Sequence, residues 1–139
     1  MNGDSTKLDY PDEHFDLILL DAPCSATGSR PKPANETISD RQIKAYQKLQ
    51  RKLIVEAIRI LKPGGQMVYS TCSVLEQENE KNVEFISDKF LDVKFVDKVS
   101  YNPFVLDNIV TNNIYHIQTE NMLNDTIGFF AAKFRKNLL

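Results

Sequence analysis

The sequence has no tryptophan and only two cysteines, Cys24 and Cys72. Two thiols are too few to staple a small secreted scaffold, so both read as reduced. Short Cys-x-x-Cys and His-x-x-x-His pairs are absent, which makes a zinc centre of Cys24, Cys72, His14 and His116 the weaker reading. No apolar run reaches membrane-spanning length, and the N-terminus lacks the basic-then-apolar order of a signal peptide. A soluble, cytoplasmic protein with no membrane partner is expected. Excess charge is missing too: a net charge of -2 over 139 residues argues against a strongly basic module, while leaving room for a local basic face. There is no repeat, low-complexity tract or linker, and the length suits one core rather than two domains.

What is present is an alternation of strands and helices. "FDLILLDAP" is a continuous apolar run closed by proline, the pattern of a strand buried on both faces. "SRPKPANETISD" reads as a loop, and Ser39 with Gln42 forms a capping box at its end. From about Asp40 to Leu61, Ile43, Tyr46, Leu49, Leu53, Ile54, Ala57, Ile58 and Leu61 recur at helical spacing. "KPGG" stops that helix. "QMVYSTC" is the next strand, "EQENEKNVEFISDKF" a second helix, "DVKFVDKV" a third strand and "IGFFAAKFRK" the last. This order implies an α/β fold with a mainly parallel sheet covered by helices.

In such sheets ligands bind beyond the carboxyl ends of the strands. Cys24 lies just past one strand end and Cys72 just past the next, with one crossover helix between them. Adjacent parallel strands would set both thiols on one rim. A buried cysteine is most often packing, but two at strand mouths, one after Asp-Ala-Pro, point toward a site.

"DAPCSATG" and "STCS", with "YQKLQRKLIVEAIRILKPGG" between them and "ENEKNVEF" and "GFFAAKF" after, resemble the RsmB/Nop/Sun family of RNA cytosine-C5 methyltransferases. "GSRPKP", "AYQKLQRKL" and "DTIGFFAAKF" resemble the Sun-domain branch that methylates tRNA. The resemblance implies the C-terminal half of a Rossmann-like S-adenosylmethionine-dependent methyltransferase fold, mainly parallel with an antiparallel last strand. It implies S-adenosyl-L-methionine as cofactor and RNA as partner, tRNA favoured over rRNA, and leaves the nucleus or nucleolus open as location. It makes Cys72 the nucleophile that adds to carbon 6 of cytosine, and Cys24 the group that assists product release. Carbon 5 is too weak a nucleophile until a thiolate has added to carbon 6, which is why this chemistry needs a sulfur. Asp21 would lie beside the cytosine, and Asp4, Asp21 and Pro23 beside the cofactor, with the Pro23 carbonyl left free to face the base. Asp4 also reads as a turn residue and Asp21 as a cap. Thr71 and Ser73 read as local hydrogen bonders, and Gly28 as a turn residue.

The glycine-rich strand-to-helix turn that opens such domains is not found before "DAPC". Residues 1–139 therefore read as a partial catalytic domain without its RNA-binding domain, expected to transfer little or no methyl alone. "FDLILL" would then be an exposed edge, which implies either a homodimer through that strand or poor solubility. Arg30 and Lys32, in the loop after the Pro-Cys motif, are the RNA-phosphate candidates. Arg41, Lys44, Lys48, Arg51, Lys52, Arg59 and Lys62 read as the solvated face of the first helix. Tyr69 and Phe104 are candidate stacking partners for a flipped base. His116, in "NIYHIQTEN", stands equally for function and for structure. The alternatives are a catalytically inert remnant that binds RNA or a partner and, last, an amino-group methyltransferase, whose stacking aromatic "DAPC" lacks.

Overall fold

The computed structural model describes residues 3–27, 38–101, 109–111 and 128–138. Gly28, Arg30, Lys32, Phe104 and His116 lie outside these residues. The elements run β1 (Phe15–Asp21), α1 (Asp40–Ile60), β2 (Leu61–Thr71), α2 (Glu80–Lys89), β3 (Val93–Tyr101), β4 (Ile109–Thr111) and β5 (Phe129–Lys136). They form one sheet in the order β1-β2-β5-β3-β4.

The α/β fold expected from the pattern is present, and its last strand is antiparallel. The pairing is more mixed than a mainly parallel sheet. β1 pairs β2 in parallel, but β5 inserts between β2 and β3 and runs against both, and β3 pairs β4 antiparallel. β1, β2 and β3 thus share a direction, while only one hydrogen-bonded pairing is parallel. The helical crossovers after β1 and β2 impose that common direction, and β5 returns through the gap they leave. The short β4 falls in a stretch that reads as irregular in the sequence.

β1 is an edge strand, and its burial on both faces is not realised. Leu17 is 59% exposed and Leu19 74%, while Ile18 and Leu20 pack against the core. The alternation shows that one face meets the helices and the other meets none of the described residues.

α1 starts as the sequence indicates. Ser39 Oγ accepts from the Gln42 amide, and the Gln42 side chain accepts from the Ser39 amide. Its apolar stripe packs Ile54, Ala57 and Ile58 against Met67, Tyr69, Phe130 and Phe134 of the sheet and Ile86 of α2. The helix ends with its last carbonyls satisfied from β5: the buried Lys136 ammonium donates to Ile58 O at 3.1 Å and Leu61 O at 3.0 Å. β2 follows at once through the two glycines. Gly64 has φ +81°, in the left-handed region, and a Cβ on Gly65 would stand 2.8 Å from Lys62 O. Among the described residues no helix is long and apolar enough to cross a membrane.

Candidate active site

The register of β1 and β2 builds the site. Asp21 stands opposite Ser70 at the carboxyl ends of the two strands. Cys24 follows Asp21 by three residues and Cys72 follows Ser70 by two, so both loops leave the sheet at one level. The sulfurs meet at 3.0 Å and both are unoxidised and half-buried. Burial, and then the hydrogen bond with Cys72, push the Cys24 thiol up from an ordinary value of 9.0 to about 11. At neutral pH Cys24 is therefore a proton-bearing thiol beside a second sulfur.

Glu78 fastens the two cysteine loops together. Its buried carboxylate accepts from the Ser25 amide at 2.8 Å, the Ser25 hydroxyl at 2.6 Å and Gln50 Nε2 at 3.1 Å, and also from the Ser73 hydroxyl. Ser25 neighbours Cys24, and Ser73 neighbours Cys72, so one side chain fixes both thiols through their next residues. Thr27 adds a second tie, its hydroxyl 3.0 Å from that of Ser73 and accepting from the Val74 amide at 3.1 Å. Ala26, between them, has φ +55°, a conformation a non-glycine residue holds only where its surroundings dictate it.

A wider buried network supports this clamp. Gln50 Nε2 also donates to Pro23 O at 2.9 Å. The Tyr69 hydroxyl donates to Glu78 O at 2.7 Å, and Asn82 Nδ2 reaches Gln50 Oε1, Tyr69 Oη and Glu78 O, each at 3.0 Å. Asn79 accepts from Thr71 Oγ1 at 2.6 Å and donates to Ser73 O at 2.8 Å. These contacts explain why α2 begins at Glu80 rather than at the start of "EQENEKN": Asn79 spends its side chain on the Thr-Cys loop and makes no cap bond. Among the described residues every buried side-chain nitrogen and oxygen has a partner, the condition for such a network to rigidify a site.

Several sequence expectations meet this geometry directly. Cys24, Cys72 and Asp21 are brought to one rim. Asp21 is exposed and accepts from Ser70 Oγ at 3.1 Å through Oδ1. Thr71 and Ser73 hydrogen-bond locally. The Pro23 carbonyl is not free, because Gln50 donates to it. Tyr69 is not available for stacking on a base: it is fully buried with its hydroxyl engaged. Asp4 is exposed and forms a turn, Oδ1 accepting from the Thr6 amide at 2.9 Å and the Thr6 hydroxyl at 2.6 Å. Those bonds hold its carboxyl below the usual range. His14 is exposed and stacks on Tyr10, ring centroids 5.6 Å apart. Among the described residues no cluster of three metal-ligating side chains occurs.

Sequence reasoning missed Gln50, Glu78 and Asn82. Gln50 carried a signal, since it sits three and four residues before Leu53 and Ile54 on the apolar stripe. Glu78 and Asn82 lie in a polar run that reads as a solvated helix start, with no sign of burial in the residues themselves.

Comparison with known proteins gives concordant matches. The family model for 16S rRNA methyltransferase RsmB/F matches residues 1–135. The tRNA (cytosine(72)-C(5))-methyltransferase NSUN6 of Homo sapiens is 36% identical over 152 residues, covering 89% of this chain and 32% of the relative. The ribosomal RNA small subunit methyltransferase F of Shewanella piezotolerans is 34% identical over 131 residues, covering 92% and 27%. The crystal structure of NSun6 from Pyrococcus horikoshii with SFG superposes with a TM-score of 0.72 at 32% identity, covering 98% of this chain and 34% of that one. The chain thus spans about a third of the length of these relatives.

Proposed function

The chain belongs to the RsmB/F methyltransferase family, and from that premise we propose that it carries the two-cysteine part of a site that methylates carbon 5 of cytosine in RNA. The observation that supports this most is the pair of sulfurs 3.0 Å apart at the mouths of β1 and β2. Packing alone would not need both thiols half-exposed at one rim, nor a buried carboxylate tying their loops together.

In this reading Cys72 is the nucleophile. Its sulfur bonds to carbon 6 of the base, which makes carbon 5 nucleophilic. Asp21 holds the polar edge of the cytosine and stabilises charge that develops there. When bound, S-adenosylmethionine supplies the methyl group, and Asp4, Asp21 and Pro23 are the residues here that would hold it. The acceptors fit for the two acids: both hydrogen bonds to Asp4 and the one to Asp21 fall on Oδ1, and each Oδ2 takes none from the described residues, whereas the Pro23 carbonyl already accepts from Gln50 and keeps one lone pair. Once carbon 5 carries the methyl group, a water molecule takes its proton, the electron pair of that C–H bond restores the 5,6 double bond, and the sulfur–carbon bond breaks to free Cys72 as a thiolate. Cys24 acts in that release by hydrogen-bonding the departing sulfur through its S–H, which steadies the charge that forms there. Overall one methyl group enters the base and one proton leaves it.

We place tRNA ahead of rRNA as substrate because of the likeness to NSUN6. Arg30 and Lys32 are assigned to RNA phosphates on their place in the sequence after the Pro-Cys motif. On a third of its relatives' length, the chain by itself is expected to transfer little or no methyl.

The test completes the chain with the N-terminal part of the Pyrococcus horikoshii relative and adds S-adenosylmethionine and tRNA containing 5-azacytidine. A covalent protein–RNA band should form with the parent, vanish with Cys72→Ala and persist with Cys24→Ala. A band that survives Cys72→Ala but not Cys24→Ala would exchange the two roles. The absence of any band or methylated cytosine would sink the proposal.

A further inference from the structure

A groove of about 560 Å³ runs between α1 and α2; neither cysteine lines it, and its lining is basic. Lys44, Lys48, Arg51 and Lys52 come from α1, Lys89 from α2 and Lys7 from the segment before β1. Glu56, the acid in the lining, is taken up by Arg59 at 2.6 Å and by the Leu8 amide at 2.8 Å. Among the described residues none of the five lysines makes an ion pair, whereas Arg59, Lys62 and Lys81 elsewhere all do. Lys44, Lys48 and Lys52 stack one turn apart on exposed positions. Like charges at that spacing repel along a helix, and a bound polyanion removes that repulsion.

The floor of the groove is ordered in advance. The Arg51 guanidinium lies 4.7 Å from the centroid of the Phe85 ring, and its Nε donates to Asn82 Oδ1 at 3.1 Å. Lys89 approaches the same ring at 5.5 Å. Asn82 is the link to the site: its amide nitrogen joins the buried network around Gln50 and Glu78, while its oxygen holds Arg51 in the groove.

We propose that this groove binds the phosphodiester backbone of the substrate RNA, on the flank of the nucleotide whose base enters the cysteine pocket. This rests on the RNA reading above. The choice of occupant follows from charge: a ridge of ammonium groups that form no ion pair among the described residues, backed by a fixed guanidinium, complements a row of phosphates spaced along a chain. Three lysines of the solvated α1 face thereby gain a partner.

The experiment measures binding of the chain to unmodified tRNA by fluorescence anisotropy across a salt series. Lys44→Ala, Lys48→Ala and Lys52→Ala combined should weaken binding, and should flatten the slope of log affinity against log salt by roughly 2 to 3, at about 0.7–0.9 per lost phosphate contact. The same three positions changed to Arg should restore both, and circular dichroism of the Ala variant should show α1 intact, since alanine favours helix. An unchanged slope, or no RNA binding by the parent, would overturn the proposal. Polyglutamate binding as tightly as tRNA, with the same lysine dependence, would assign the groove to an acidic protein segment instead. An unchanged slope alongside normal 5-azacytidine trapping removes the groove alone. A lysine-dependent slope without trapping removes the methylation reading alone.

Discussion

Replacing Glu78 separates a structural clamp from an incidental buried acid. Glu78→Ala deprives the Ser25 amide of its acceptor, which costs about 1–3 kcal/mol for a buried donor left unpaired. The bonds from Gln50 and the two serine hydroxyls go as well, each worth about 0.5–1.5 kcal/mol net. Part of this is recovered, because Gln50 keeps Pro23 O, and the Ser25 and Ser73 hydroxyls stand 3.4 Å apart and can turn to each other. The expected loss is roughly 3–6 kcal/mol, a large share of the stability of a domain this size. Glu78→Gln keeps an oxygen for the two obligate donors, Ser25 N and Gln50 Nε2, and offers its NH2 group to hydroxyls that can rotate to accept. Its cost should be about 1 kcal/mol. Urea unfolding would read both as shifts in midpoint at constant slope. Glu78→Ala within about 1 kcal/mol of the parent, or Glu78→Gln as damaging as Glu78→Ala, would refute the clamp.

Other consequences follow from single observations. Cys24 has a folded-state value of about 11, above its ordinary one, so it stabilises the fold at and below neutral pH, and that contribution fades as pH rises toward about 11. Thiolate absorbance should show one sulfur ionising only in that upper range, and two ordinary titrations would contradict it. The exposed Leu17 and Leu19 on β1 make self-association through that edge the expected behaviour of the chain alone. Sedimentation should show Leu17→Lys with Leu19→Lys shifting the chain toward monomer, and a parent that is already monomeric with a protected β1 would count against it. The chain without an added N-terminal part should give no methylated cytosine above background with tRNA and S-adenosylmethionine, and clear turnover would overturn that expectation.

The legible part of this protein was its skeleton and its sulfurs. The Ser39–Gln42 cap and the apolar stripe of α1 are local signals, and local signals survive folding. The two cysteines could be placed together because parallel neighbours joined by one helix must end at the same side of the sheet. The edge position of β1 was legible from the strands missing before it, but the exposure of its Leu17 and Leu19 face was not, because an apolar run does not say which of its faces a helix covers. The insertion of β5 between β2 and β3 is a long-range pairing that no local pattern announces. Gln50, Glu78 and Asn82 were hidden for a related reason: a polar side chain is buried only when partners from other elements arrive. Here Ser25 and Ser73 of the two cysteine loops come to Glu78, Pro23 and Glu78 to Gln50, and Gln50 and Tyr69 to Asn82.

Dibromobimane, which fluoresces only when both of its arms have reacted with sulfur, tests the closeness of the two thiols most directly. In the folded chain one reagent should bridge Cys24 and Cys72, giving a fluorescent product whose digest contains both peptides joined, and unfolding in urea before labelling should abolish the bridge. Two separately labelled cysteines with no fluorescence from the folded chain would mean that the sulfurs do not share a pocket.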